Sequence, residues 1–537
     1  MTEGALPDQK KVIDIRAQVG ARRQQEEDAF ADADASRPGG GKGGPSDPDF
    51  INQCLANNEL GDGILFTAIH RGHFIFDASA GEWLCWAGHH WQRDITGKAL
   101  AAVEDVAMAY LGEVQRIGRQ VSATSDEEEI ERLQKRQARI LRRVDRLRSV
   151  RGRQNTLTFA STCGEGALVV TGEQLDANPW LFPCTNGVVD LRTGQLRSGD
   201  PEDFMTKAAT ADFPDSCEEY LATGEDSPCP AWEAFVKEIL KDSEELAAYL
   251  SRLFGYGITG LVREHVFAVL FGHGRNGKGT LIETLAGLLG PLAAPVPAEL
   301  LLDQGKVSNP AGPSPHLMAL RGLRLAFCSE TDQGRRFSAS RVKWLSGGDS
   351  LTGRHPHDRQ PTTFSPSHLL CLATNHKPKA DASDFAFWSR LHLVEFGLSY
   401  VERPTADHER QIDKTLSEKL RQEGPGILAW LVRGCLQWQH QGLNPPAAIL
   451  AATAEYRQSE DDLFAWIEER CIEAEDAIIT AKAAYQSFRE WWIANVSDKP
   501  PSQKRFGDSM SRRGFSKDRG GPGGSFRYTG LELRVLA

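Results

Sequence analysis

Residues 271–290 read FGHGRNGKGTLIETLAGLLG. An apolar run, HVFAVLF (265–271), precedes them, and a helical stretch follows and closes at Gly290-Pro291. Strand, glycine-rich turn and helix in that order are the layout of a phosphate-binding loop, and Gly272, Gly277 and Lys278 stand at its spacing. Glycines there let backbone N–H groups turn inward on phosphates, and the helix N-terminus adds positive potential. Lys278 is placed to reach the β- and γ-phosphates. Gly272, Gly274, Asn276, Gly277, Lys278, Gly279 and Thr280 are the expected nucleotide-binding residues. The position after the lysine, where a serine or threonine would hold Mg²⁺, is Gly279. The hydroxyl comes one residue later, so Thr280 is the expected metal ligand of the loop.

Working outward, three more apolar runs follow: LRLAFCS (323–329), HLLCLAT (368–374) and LHLVEF (391–396). Continuous runs of this length suit strands buried on both faces of a parallel sheet. The carboxyl edge of such a sheet is where its ligands bind. Glu330 follows the first run, where a carboxylate can hold Mg²⁺ or orient an attacking water. The usual Asp-Glu pair is absent because Ser329 precedes it. Glu330 is therefore the expected catalytic acid, with Asp332 assisting at the metal. Asn375 ends the second run, where its amide can read the γ-phosphate or the water. Arg390 stands just ahead of the third and could project to a neighbouring subunit's nucleotide; such arginines contribute on the order of 10³–10⁵ in rate. Between them lies WLSGGDSLTGRHPHDRQPTTFSPS (344–367). Gly347-Gly348 and Pro356 bracket an expected hairpin with Arg354, His355, His357 and Arg359 near its tip. A basic loop of this kind can grip the phosphates of a single strand, so Arg354, His357 and Arg359 are expected DNA contacts.

The rest of the chain sets bounds. At 537 residues, 40% hydrophobic and 25% charged, it has the length of three or four domains and an ordinary globular mixture. No apolar run approaches the roughly 20 residues of a membrane span. Ten scattered cysteines form no CxxC pair and read as reduced thiols. A net charge of −11 excludes a generic polyanion binder, so nucleic acid must be met by local basic patches. Residues 1–48, ending in SRPGGGKGGPSDPD, read as a disordered tail. Trp83, Trp86 and Trp91 flank a turn at Ala87-Gly88 and are expected in a core. Residues 126–153 predict a helix with a heptad stripe: Ile130, Gln137 and Val144, and Leu133, Ile140 and Leu147. Its face away from that stripe reads either as solvated or as a basic surface for DNA or a subunit. From Lys499 to Arg534, nine Lys and Arg stand against three Asp and Glu. A helix capped by Ser502 and carrying Lys504, Arg505, Arg512 and Arg513, followed by a Gly-rich wing, would dock on DNA.

The order of these motifs resembles the phage/plasmid primase-helicase family, whose ATPase is a superfamily 3 helicase. FGYGITGLVREHVFAVLFGHGRNGKGT, SETD, KWLSGGDSLTGR, ATNHKP and FWSRLHLVEF follow in the family's order. DANPWLFPCTNGVVDLRTGQL resembles the end of the poxvirus-type primase-helicase N-terminal domain. The basic tail resembles the family's winged helix. The resemblance implies an α/β fold: an AAA+-like phosphate-loop ATPase with a central parallel sheet, an α+β N-terminal domain and a C-terminal winged-helix domain. The implied segments are 1–48 tail, 49–230 N-terminal domain, 231–450 ATPase and 451–537 winged helix. It also implies an ATP- and Mg²⁺-dependent replicative DNA helicase of a phage, plasmid or integrated element, moving as a homo-oligomeric, hexameric ring along single-stranded and forked DNA. Lys278, Glu330, Asn375 and Arg390 take the roles of loop lysine, acid, sensor and finger. The family's second arginine is absent, because Ser389 replaces it. About 50 residues precede the match, too few for a polymerase-like domain, so a helicase without a primase domain of its own is expected, in the cytoplasm of a bacterial host; any primase would be a separate chain. The alternative reading is a DNA-binding origin or regulatory module whose ATPase is disabled by Gly279 and Ser329.

Overall fold

The computed structural model describes residues 44–164, 166–305, 313–329, 334–354, 356, 361–496, 498–520 and 524–534. Most of the expected tail, together with Glu330, Asp332, His355, His357 and Arg359, lies outside the described residues. The chain divides into two units. The first takes in the residues up to Cys85 together with Arg93–Gly172; the second takes in Trp86–Gln92 and Glu173 onward.

The first unit runs α1 (Pro48–Ala56), α2 (Asn58–His70), β1 (Phe74–Asp77), β2 (Glu82–Trp86), α3 (Lys98–Ala123), α4 (Glu127–Leu147), α5 (Val150–Ala160) and β3 (Val169–Val170). The predicted heptad helix is α4. The Asp126 carboxylate caps it, accepting from Glu128 N at 3.0 Å, and its first turn carries three glutamates, as the helix dipole favours. Leu133, Ile140, Val144 and Leu147 are buried among Val103, Val106, Tyr110 and Ile117 of α3. The polar member of the stripe, Gln137, is satisfied by donating Nε2–H to Val114 O at 2.9 Å. Pairing of β1 is antiparallel to β2 and parallel to β3.

The second unit begins with an antiparallel meander, β4 (Leu181–Cys184), β5 (Gly187–Asp190) and β6 (Gln195–Arg197). Helices α6 (Pro230–Ile239) and α7 (Glu244–Gly257) lead to β7 (Phe267–Phe271), α8 (Lys278–Leu289), β8 (Ala293–Pro297) and β9 (Leu325–Ser329). Then come α9 (Ala339–Leu345), β10 (Leu351–Gly353), β11 (Thr362–Phe364), β12 (Leu369–Thr374), β13 (Leu391–Glu395), α10 (Gly424–Gln441) and α11 (Ala447–Ser459). All four apolar runs form strands of one five-stranded sheet in the order β13-β7-β12-β9-β8, with every neighbouring pair parallel. The fifth strand, AAPVP, was not legible as an apolar run. It lies at the sheet edge, where prolines without N–H groups are tolerated. The expected hairpin is β10 paired antiparallel with β11.

Phe182, Val189 and Leu191 of the meander share one apolar cluster with Trp232, Phe254, Leu281 and Leu431. Residues on both sides of position 230 thus share one core. Two of the three early tryptophans differ from expectation. Trp91 is buried, with its indole Nε1–H donated to Pro201 O at 2.9 Å, but Trp83 and Trp86 are only half-buried because they sit on a short hairpin covered on one side. The C-terminal part, α12 (Asp462–Arg470), β14 (Cys471–Thr480), α13 (Ala481–Asn495), α14 (Gln503–Arg512), β15 (Lys517–Asp518) and β16 (Arg527–Leu533), encloses its own core of Trp466, Phe488, Trp491, Phe506, Met510 and Tyr528.

The burial pattern of α4 makes a direct prediction. Ile140→Ala should destabilise the protein by about 2–5 kcal/mol in urea unfolding followed by circular dichroism. Leu141→Ala, at an exposed site one residue along, should cost under about 0.5 kcal/mol.

Candidate functional site

The site is built where β7 ends. The chain leaves the strand at Phe271, turns through Gly272–Gly277 and enters α8 at Lys278. Two glycines are required by their surroundings. A Cβ on Gly272 would lie 2.5 Å from Phe396 O. Gly277, the residue capping α8, has φ +84°, and a Cβ there would lie 2.5 Å from Ile239 Cγ2 of α6. The loop is also tied to the chain after β13: Tyr400 N–H donates to Arg275 O at 2.6 Å, and Asn276 Nδ2–H to Phe396 O at 3.4 Å.

Lys278 is the centre of this arrangement. Its side chain is buried, and its ammonium donates to three neutral oxygens: Gly272 O at 2.6 Å, Asn276 Oδ1 at 3.1 Å and Asn375 Oδ1 at 3.3 Å. Burial pushes its pKa down to about 8. A desolvated cation with only neutral acceptors, at the N-terminus of a helix, is chemically a seat for an anion. Asn375 reaches it because β12 and β7 are parallel neighbours, with Thr374 opposite Phe271. The sequence motifs at 272–278 and 375 are therefore assembled in one place. Strand β9 ends at Ser329, opposite Ala373 of β12, on the same carboxyl edge. Glu330 and Asp332 follow it outside the described residues. Among the described residues no group of three His, Cys, Asp or Glu is placed to hold a metal ion.

Gly279 and Thr280 behave differently. Gly279 is exposed, and a Cβ on it would meet no atom within 4 Å. Thr280 lies about 100° further round the helix. It lines a cavity of about 470 Å³ with Glu283, Thr284, Thr210 and Leu420.

Arg390 is not brought to the loop in its own chain. It precedes β13, whose Leu391 pairs with Phe267, so it stands at the amino edge of the sheet, about 16 Å of strand away from Gly272. Its guanidinium donates to Ser346 O at 3.1 Å. Arg354 begins the tip of the β10–β11 hairpin, and its N–H donates to Ser314 Oγ at 3.3 Å. On α14, Ser502 caps as expected, accepting from Arg505 N at 3.3 Å. Three of the four basic residues expected on this helix are engaged within the unit. Arg505 pairs with Asp381 at 3.4 Å, Arg512 donates to Ser383 Oγ at 3.1 Å, and Arg513 pairs with Asp461. Lys504 is exposed. The site residues that motif reading missed are Ile239, Tyr400 and Phe396, which shape the loop from α6 and from the chain after β13. The only hint of them was apolar spacing on a helix and at a strand end.

Residues 63–241 match the D5 N terminal like family. The likeness to primase-helicase proteins extends along the chain. It is 27% identical over 352 residues to a "Putative helicase" of Acanthamoeba polyphaga mimivirus, covering 63% of this chain and 36% of that protein. A "Putative helicase" of Frog virus 3 is 26% identical, covering 60% of this chain and 40% of that protein. A "Putative primase" of African swine fever virus is 24% identical, covering 61% and 34%. The chain thus spans less than half the length of these relatives. Among solved structures, the apo C terminal region of NrS-1 is similar at 11% identity and a TM-score of 0.33, covering 56% of this chain and 75% of that one. The named relatives come from viruses of eukaryotes, and they lend nothing to the expectation of a bacterial host. No described helix is long and apolar enough to cross a membrane.

The loop geometry separates two glycines. Gly277→Ala places a Cβ at positive φ against Ile239 and should cost about 1–3 kcal/mol in chemical unfolding. Gly279→Ser meets open space inside a helix and should leave stability unchanged or slightly raised.

Proposed function

We propose that the chain is an ATP-driven DNA helicase of the superfamily 3 type, built on an AAA+-like sheet and carrying a C-terminal winged helix. The observation that supports this most is the buried Lys278 ammonium, which faces only neutral oxygens within a strand–glycine loop–helix, with Asn375 at the same sheet edge. The donor set fits the phosphates of a nucleotide. Loop N–H groups other than those of Gly272 and Gly274, which donate to Thr374 O and Gly272 O, would hold the β- and γ-phosphates together with the Lys278 ammonium. ATP would supply the β–γ phosphoanhydride bond, with Mg²⁺ neutralising its charge. Glu330, with Asp332, is the proposed acid that orients water and holds the metal; Thr280 is the proposed hydroxyl ligand of the loop, although it lines the neighbouring cavity. Asn375 bonds Lys278 and is placed to sense a γ-phosphate. This is electrostatic positioning, the main source of rate in phosphoryl transfer.

The same reading requires more than one copy. Arg390 lies at the opposite edge of the sheet from Lys278, so any nucleotide it serves belongs to a neighbouring subunit. A closed, hexameric ring supplies that arrangement. Single-stranded DNA would then contact the β10–β11 hairpin tip through Arg354, His357 and Arg359. The winged helix would dock through Lys504, with Arg505, Arg512 and Arg513 freed from their carboxylate and hydroxyl partners. The proposed segments are 49–230, 231–450 and 451–537, with the meander at the end of the first packed into the core of the second.

A second reading, a DNA-binding module with a silent ATPase, is favoured by the open space at Gly279 and by the turn of Thr280 away from it. Steady-state ATP hydrolysis with Mg²⁺ decides between them. We expect turnover stimulated by single-stranded DNA and lost at least 100-fold in Lys278→Ala. Arg390→Ala should be equally inactive, yet a mixture of the two variants should recover part of the turnover, because each supplies what the other lacks. Turnover indifferent to DNA contradicts the motor. DNA binding without hydrolysis supports the silent module.

A further inference from the structure

A long basic surface takes no part in the site above. Residues 132–153 hold ten Lys and Arg, nine of them Arg, against the single acid Asp145, in a protein of net charge −11. On α4 they fall on one face. Arg136, Arg139, Arg143 and Arg146 recur at three- and four-residue steps, and Arg132, Lys135 and Arg142 lie within the same sector, beside the buried stripe of Leu133, Ile140, Val144 and Leu147. Arg136, Arg139, Arg142, Arg143 and Arg146 line an open cleft of about 440 Å³ together with Asn52 and Ile140.

Three of these arginines pair with acids: Arg146 with Glu59 at 3.3 Å, and two with buried carboxylates. Arg143 pairs with buried Asp62, which also accepts from Tyr110 Oη at 2.9 Å. Arg136 pairs with buried Glu113 at 2.9 Å and donates to Asn52. Their guanidinium groups are thereby held in fixed positions. Arg139 and Arg142 are exposed, and among the described residues no acid pairs with either. Like charges at i,i+3 and i,i+4 weaken a helix, and at Arg139 and Arg142 no acid among the described residues offsets that repulsion. A polyanion would relieve that repulsion. The preference for Arg over Lys favours phosphate, because the planar fork bonds phosphate oxygens in pairs. The stripe from Arg136 to Arg146 is about 15 Å long, the axial run of about four phosphates of a stacked strand.

We propose that this face of α4 binds the phosphodiester backbone of a nucleic acid strand. The contact is sequence-independent and electrostatic. It lies wholly in the first unit and uses none of the residues at the nucleotide site, so it stands or falls apart from the proposed motor.

The test is fluorescence anisotropy of the full chain with a labelled single-stranded oligonucleotide across a salt series. Arg139→Glu with Arg142→Glu should weaken binding at least 10-fold near 0.1 M salt. Arg139→Gln with Arg142→Gln should reduce the slope of log affinity against log salt by about 1.4, two released contacts on a single strand. The charge-matched control, Arg119→Glu with Arg403→Glu, should leave both quantities within twofold of the parent. A benzophenone side chain placed at position 142 should crosslink to the strand, and one at position 119 should not. Should the double reversal fail to fold, the glutamine pair and the crosslink still decide. An unchanged slope without a crosslink at 142, equal loss in the control, or a parent chain that does not bind the oligonucleotide would each overturn the proposal. So would loss of binding to phosphatidylserine vesicles with DNA binding intact. Lys278→Ala separates the two readings: it should abolish turnover and leave the salt slope unchanged.

Discussion

A charged lysine held out of water sets the terms for everything around it. Moving the Lys278 ammonium from a pKa of 10.5 to about 8 corresponds to a cost on the order of 3 kcal/mol. A fold retains such a group only when the surroundings fix it in place. Here three oxygens do so, from the end of β7, from the loop and from the end of β12. Those three points meet because the strands are parallel neighbours in register, with Phe271 opposite Thr374. The loop's approach to α6 and to the chain after β13 leaves no room for side chains at Gly272 or Gly277. Sheet order, glycine placement and the lysine are one constraint seen from three sides.

The parallel sheet has a second consequence. All its strands run the same way, so residues just after a strand and residues just before one lie on opposite edges. Lys278 and Asn375 share the carboxyl edge, and Arg390 lies on the other. A single chain therefore separates what the proposed chemistry brings together, and assembly of several copies is the economical way to reunite them. The charge distribution has the same logic. An acidic chain concentrates its arginines on α4 and at its C-terminus, and it pairs most of the C-terminal ones internally, through Asp381, Ser383 and Asp461.

Much of this was legible in the residues. Four continuous apolar runs became four neighbouring parallel strands, because a strand buried on both faces leaves no alternation to confuse it with another period. The glycine–lysine loop was readable as a turn because glycines cluster between an apolar run and a helical stretch. Strand β8 was not, since AAPVP carries its pairing at an edge where apolar character is not demanded. Trp83 and Trp86 were placed too deep: a tryptophan on a short hairpin can be half-covered, and sequence does not tell which side is. The pairing of Arg505, Arg512 and Arg513 within the chain depends on contacts more than 50 residues away for each, which no local pattern reveals.

The measurement that addresses the central claim most directly is proton uptake on nucleotide binding. It is read by isothermal titration at pH 9 in buffers of different ionisation enthalpy. Free Lys278, with its pKa lowered to about 8, is mostly neutral at pH 9. An anion seated against it favours the charged form and raises its pKa towards the ordinary lysine value. Binding of a non-hydrolysable ATP analogue should therefore take up close to one proton at pH 9 and about none at pH 6.5, and affinity should fall as pH rises through 8. Lys278→Met should abolish the uptake. Tight binding at pH 9 without proton uptake, or the same uptake in Lys278→Met, would contradict the assignment of Lys278 as the anion seat on which the account rests.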